Sequence, residues 1–151
     1  MARDAARRIQ AAAEAVLVPG ELITGHGVCW VAQVTDRVPL IFRARREYLL
    51  ALTDRRMLVF ERTRRGPTPR DLVLGKRYET FTLERVRRHR PLLQVAFRAT
   101  NGSRMVFEFR RGQREVAGEL IARLTPRPPA APVPTPKDKA VAAAFWGPPT
   151  R

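Results

Sequence analysis

Residues 1–20 place apolar side chains at helical spacing: Ile9, Ala12, Ala13, Val16 and Leu17 fall at i, i+3, i+4, i+7 and i+8, with Arg7, Arg8 and Glu14 off that line. The spacing predicts an amphipathic helix, stopped by Pro19-Gly20. From Glu21 to Arg111 the grammar shortens to β-type runs separated by turn residues. Leu22–Val34 reads as one long strand or two short ones around Gly25-His26-Gly27, where a bulge or a close packing contact is expected. Val38–Phe42 and Glu47–Leu52 follow, with a basic break at Arg43–Arg46. A turn at Thr53–Arg56 leads into a strand over Met57–Arg62. A polar loop at Thr63–Arg70 precedes strands at Asp71–Leu74 and Tyr78–Val86. The clearest element is the hairpin 92–110, where Leu93, Val95, Phe97 and Ala99 alternate, Asn101-Gly102 turns, and Met105, Phe107 and Phe109 alternate again. Asn-Gly is the preferred pair for a two-residue type I′ turn, which is the turn expected here.

At Gly112 the helical period returns, with Val116, Leu120, Ile121 and Leu124 on one face, and it ends before Pro126. About seven strands followed by one amphipathic helix is an α+β order, an antiparallel sheet or barrel plugged by its last helix. Val95, Phe97, Phe107 and Phe109 are the expected core, with Leu120, Ile121 and Leu124 against them. From Pro126 onward, eight of the 13 prolines fall in 26 residues, which predicts an extended, flexible tail. The tail carries one apolar pair, Phe145-Trp146, expected to act as a short docking motif. The chain thus divides into a helix over 1–20, a domain over 21–125 and a tail over 126–151.

Composition narrows the function. Lys+Arg 29 against Asp+Glu 14 leaves a net charge of +15, so polyanionic partners are physically favoured. A single cysteine, Cys29, cannot form an internal disulfide framework or a multi-cysteine zinc site, and it is expected to be a buried, inert thiol. Two histidines leave almost no metal-binding inventory. No nucleophile elbow, P-loop or paired-ligand zinc spacing occurs, so neither enzyme chemistry nor a cofactor is expected. The Ala-rich start, interrupted by Glu14, is too polar for a signal peptide. The expected location is cytoplasmic, with peripheral membrane contact open to so basic a protein.

Two segments, Val18-Pro19-Gly20-Glu21-Leu22-Ile23 and Tyr48-Leu49-Leu50-Ala51-Leu52-Thr53-Asp54-Arg55-Arg56-Met57-Leu58-Val59-Phe60, are followed by a late Asn-Gly hairpin and a closing helix. Their order resembles bacterial pleckstrin-homology-like domains of the YokE-like or GRAM-like kind over residues 18–124. The resemblance implies seven strands in two nearly orthogonal sheets, with the C-terminal helix capping one open end. It implies no enzyme chemistry and does not fix a ligand.

The remaining chemistry is basic. Arginines cluster at strand ends and connections: Arg43, Arg45 and Arg46; Arg55 and Arg56; Arg62, Arg64, Arg65 and Arg70; Arg85, Arg87, Arg88 and Arg90; Arg110, Arg111 and Arg114. They either converge on one rim as an anion-binding surface or stand as solvated gatekeepers of strand edges. The candidate anion-binding residues are Arg43, Arg45, Arg46, Arg62, Arg64, Arg65, Arg85, Arg87 and Arg88. The expected function is a non-enzymatic binding or adaptor module with an acidic protein partner first and an anionic membrane surface second. Nonspecific nucleic-acid binding through the same arginines is the alternative. At the Thr53–Arg56 turn, Thr53 and Asp54 are expected to hold backbone N–H groups. Arg56 is expected to pair with Asp54 or reach a carbonyl at the sheet end.

Overall fold

A computed structural model describes residues 2–34, 46–89 and 91–126. The expected strand Val38–Phe42, together with Arg43 and Arg45, lies outside the described residues, as do residues 127–151 with Phe145 and Trp146. The apolar runs become seven strands: β1 (Ile23–Val34), β2 (Arg46–Thr53), β3 (Arg56–Glu61), β4 (Leu72–Arg77), β5 (Phe81–His89), β6 (Leu92–Ala99) and β7 (Arg104–Phe109). Helix α1 (Ala2–Glu14) precedes them and helix α2 (Arg114–Leu124) follows. All neighbours are antiparallel, in the order β4-β3-β2-β1-β7-β6-β5. Strand β1 joins the two halves: Ile23–Val31 pair with β2, and Trp30–Val34 pair with β7.

The inner face of the sheet carries the main core. Leu50, Leu52, Met57, Val59, Val95, Phe97, Phe107 and Phe109 are buried there against Val116, Ala117, Leu120 and Leu124 of α2. Phe81, Phe97 and Phe107 stack edge to face in series, at centroid separations of 5.3 and 4.8 Å. The expected core residues are all buried except Ile121, which packs at the margin.

Strands β2 and β3 read as unbroken apolar runs because both of their faces are covered. While Leu50, Leu52, Met57 and Val59 point inward, Leu49, Ala51, Leu58 and Phe60 point outward beneath Ile9, Ala12 and Ala13 of α1. Alternation is lost when neither side of a strand meets water. The first helix is therefore an outer layer on one half of the sheet.

Two local expectations change. The 92–110 hairpin turns through Thr100–Gly102, not through a type I′ pair: within the turn only Gly102 has positive φ (85°), and among the described residues none other than glycine does. Ala99 accepts from the Gly102 N–H at 2.9 Å and donates its own N–H to Ser103 O at 2.8 Å, a type I turn with a left-handed glycine after it. Asn101 contributes through its side chain, whose Oδ1 accepts from the Ser103 N–H at 3.0 Å. The segment from Tyr78 divides as well: Tyr78–Thr80 form a single 3-10 turn before β5 begins.

Gly25 and Gly27 are where α2 lies against β1. A β-bulge separates Ile23 from Gly25, and a side chain at Gly27 would run into the Gln113 amide and come within 2.7 Å of Val116 Cγ1. Gln113 Oε1 accepts from the Val28 N–H at 3.0 Å, which fixes the helix start over the strand. Gly27→Val is expected to lower the unfolding free energy by about 2–3 kcal/mol through overpacking. Gly118, mid-helix with open space where a Cβ would stand, makes the contrast. Gly118→Ala is expected to raise stability by about 0.5–1 kcal/mol. Urea midpoints at unchanged m-value check both.

Candidate functional site: the buried turn and the arginine surface

The Val18–Glu21 segment forms a tight turn, with the Glu21 N–H donating to Val18 O at 3.0 Å and Gly20 at φ 79°. Pro19 and Gly20 occupy the second and third positions, as a type II turn requires. The turn carries Glu21 into the interior, where the residue is 4 % exposed. Its Oε1 accepts from Thr53 Oγ1 at 2.7 Å and Arg56 Nε at 2.9 Å. Its Oε2 accepts from Arg56 Nη2 and from the Val18 N–H, both at 3.0 Å. Arg56 also donates through Nη2 to Val16 O at 2.6 Å, at the end of the first helical segment.

Thr53, fully buried, receives the Arg55 and Arg56 N–H groups on Oγ1 at 3.1 and 2.9 Å, and its carbonyl accepts from Tyr78 Oη at 2.8 Å. Arg56 therefore pairs with Glu21 rather than with Asp54. Asp54 is exposed and closes the strand entry, taking the Leu22 N–H on Oδ1 at 2.9 Å while its own N–H donates to Leu22 O at 3.0 Å. Arg123 of α2 donates to Asp54 O at 3.1 Å and lies over the Tyr78 ring. One carboxylate thus ties together the end of the first helical segment, the β2–β3 turn and the β4–β5 corner, and α2 clamps the outside.

Burial alone would push the Glu21 carboxyl up, but the bonds from Arg56, Thr53 and the Val18 N–H outweigh it and hold the pKa at about 2. The same pair raises Arg56 further, chiefly through its hydrogen bonds to Glu21. Burial also raises the Tyr78 hydroxyl and, more completely, the Cys29 thiol, which sits in the main core as an unreactive small hydrophobe.

Outside this network the surface is basic. Most carboxylates flanking the arginine clusters are already committed. Glu47 pairs with Arg62, Glu84 with Arg98 and Arg104 (2.6 Å each), Glu119 with Arg123 (3.3 Å), and Asp71 accepts from Thr68 N–H and Oγ1 at 2.7 and 2.8 Å. Among the described residues no carboxylate lies within ion-pair reach of Arg7, Arg46, Arg64, Arg65, Arg70, Arg85, Arg87 or Arg88.

These arginines form two groups. The β3–β4 connection carries Arg62, Arg64, Arg65 and Arg70, and Arg46 opens the adjacent strand β2. Helix α1 adds Arg8, which packs across Gly66 and whose Nη1 reaches Arg65 O at 3.5 Å. Sequence reading missed that α1 contribution, and only the outward apolar faces of β2 and β3 hinted at where the helix would rest. Arg85, Arg87 and Arg88 lie on β5, at the other end of the strand order, so they make a separate strip along a sheet edge. Arg110 is used differently, stacked 4.4 Å from the Trp30 ring centre. The described residues hold no cluster of three or more metal-ligating side chains, and none of their helices is long and apolar enough to cross a membrane.

Against known proteins, the chain matches no family model and no curated sequence.

Glu21 offers a direct test. Its folded pKa lies below the unfolded value, so the stabilisation is fully present above about pH 4.5 and disappears as pH falls towards 2. The depression corresponds to roughly 3 kcal/mol. Glu21→Gln is expected to lose about that amount at pH 7. Plotted against pH, the stability difference between the two proteins should shrink steadily from pH 5 to pH 2. A constant difference across that range would show that Glu21 is not held as a carboxylate.

Proposed function

We propose that the protein is a non-enzymatic binding module of the pleckstrin-homology-like kind, whose unpaired arginines engage an acidic surface on a protein partner. The fold part of this reading is supported by the antiparallel order β4-β3-β2-β1-β7-β6-β5, by β1 shared between two groups of strands, and by the closing helix α2 across the inner face. The functional part rests on one observation: Arg8 of α1 lies against the β3–β4 connection that carries Arg62, Arg64, Arg65 and Arg70. Five arginines from two segments far apart in sequence are gathered in this region, and Arg62 alone among them has a carboxylate partner among the described residues.

Maintaining such a patch opposes folding through mutual repulsion, which an acidic partner relieves. Arginine suits carboxylates because its planar fork donates two parallel bonds. Exposed aromatics, which would favour single-stranded nucleic acid through stacking, are missing from the large exposed apolar side chains of the described residues: these are Val18, Leu22, Val73 and Val86. An anionic membrane would be attracted by the same patch, at about 1 kcal/mol per basic residue near the surface.

Poly-glutamate, phosphatidylserine vesicles and duplex DNA, each at 50 and 300 mM salt, distinguish these partners. The module is expected to hold poly-glutamate at both salt concentrations and to lose DNA and vesicles at the higher one. Arg64→Glu with Arg65→Glu should weaken poly-glutamate binding by about 30-fold, the equivalent of some 2 kcal/mol. Arg85→Glu with Arg87→Glu should change it less than threefold. Equal losses from both pairs, or binding to all three probes that vanishes together with salt, would reduce the interaction to diffuse net charge.

A further inference from the structure

A pocket of about 390 Å³ opens where β2 begins and β3 ends, lined by Val31 of β1, Arg46 and Tyr48 of β2, Val59 of β3, Val73 and Leu74 of β4, and Met105 and Phe107 of β7. Its floor is the main core itself, since Val59 and Phe107 are both buried members of that cluster. Helix α2 packs chiefly on β1, β5 and β6 and leaves this β3–β4 side of the inner face open. Among the described residues the lining is apolar apart from the Tyr48 phenol and a single cation, Arg46. That guanidinium has no carboxylate within reach among the described residues, and none lines the pocket. Val73, 54 % exposed, extends the apolar lining out to solvent.

We infer that this mouth binds a free single-chain amphiphile with an anionic head, a fatty-acid-like monomer whose alkyl chain enters between β4 and β7 while its carboxylate or phosphate meets Arg46. Ligand pockets are apolar cavities of about 300–1,000 Å³ with a few polar groups that fix orientation, and this one lies at the small end of that range, suited to one chain rather than two. The chain supplies the driving force through burial of apolar surface, and the charge-assisted bond to Arg46 sets which end faces out. The inference goes beyond the arginine-patch reading and stands or falls separately, because Arg46 meets the ligand at the core's open end whereas the patch is centred on α1 and the β3–β4 connection.

Calorimetry with dodecyl phosphate below its micelle concentration tests it, with dodecanol, inorganic phosphate and diacyl phosphatidic acid vesicles as the other arms. Dodecyl phosphate should bind, dodecanol at least tenfold more weakly, and inorganic phosphate not measurably. Arg46→Glu should weaken dodecyl phosphate at least tenfold while leaving dodecanol unchanged. Met105→Trp should block both by filling the mouth, and Val73→Trp, at an already exposed position, gives the same block should the first variant fail to fold. Preference for the vesicles over the monomer would make this a membrane-surface contact and overturn the proposal. So would unaltered binding in both tryptophan variants. Absence of binding by the parent protein, whether or not Met105→Trp raises its melting temperature, would show that no monomer occupies the mouth.

Discussion

The fold depends on one ionised carboxylate kept away from water. Glu21 has four donors around it, from Thr53, both reachable nitrogens of Arg56 and the Val18 backbone, which together satisfy the charge that burial would otherwise make untenable. The three residues that supply these donors belong to different structural decisions. Val18 belongs to the chain's exit from the first helical segment, Thr53 to the end of β2, and Arg56 to the start of β3. An apolar cluster of the same volume would hold these segments together as firmly but would not dictate their relative positions. A carboxylate that must receive specific N–H and O–H groups admits one arrangement only.

From that point the rest of the architecture is placed. With the β2–β3 hairpin registered against the entry to β1, the outward row Leu49, Ala51, Leu58 and Phe60 becomes a floor for α1, and the inward row becomes half of the main core. Tyr78 reaches Thr53 O and so anchors the corner from which β5 departs, while Arg123 brings the end of α2 to the same turn. The glycines of β1 then set how close the start of α2 comes to the sheet. Helix α2 closes the inner face on the β5–β6 side, and the β3–β4 side remains the apolar mouth rimmed by Arg46.

The same economy of carboxylates shapes the surface. With 14 acids against 29 bases, each carboxylate spent on an internal task leaves its neighbouring arginines unmatched. Glu21 is consumed inside, Asp54 and Asp71 hold backbone groups in turns, and Glu84 holds two arginines by itself. Arg64, Arg65 and Arg70 of the β3–β4 connection are left without a carboxylate among the described residues, and packing α1 on the sheet brings Arg8 to them. Structural use of the acids and the basic character of the surface are therefore two outcomes of one charge distribution.

Much of this was legible in the chain itself, because local signals were strong. Periodicity located both helices and most strands, the alternating residues of the 92–110 hairpin named the heart of the core, and the Gly-Glu and Leu-Thr-Asp-Arg-Arg segments stood out before their purpose was known. Sequence could not say that Glu21 and Arg56, 35 residues apart, are partners, since pairing follows from strand register rather than spacing. Nor could it say that Asn101 would serve through its side chain while Gly102 alone took positive φ, because turn type depends on how the flanking strands meet. The arginines illustrate the same division. Their number and their positions at strand ends were plain from composition and pattern. That Arg8 meets Arg65 while Arg85, Arg87 and Arg88 lie on the strand at the other end of the sheet order was decided only when the sheet acquired that order, because a charge takes its neighbours from packing in three dimensions and not from the chain.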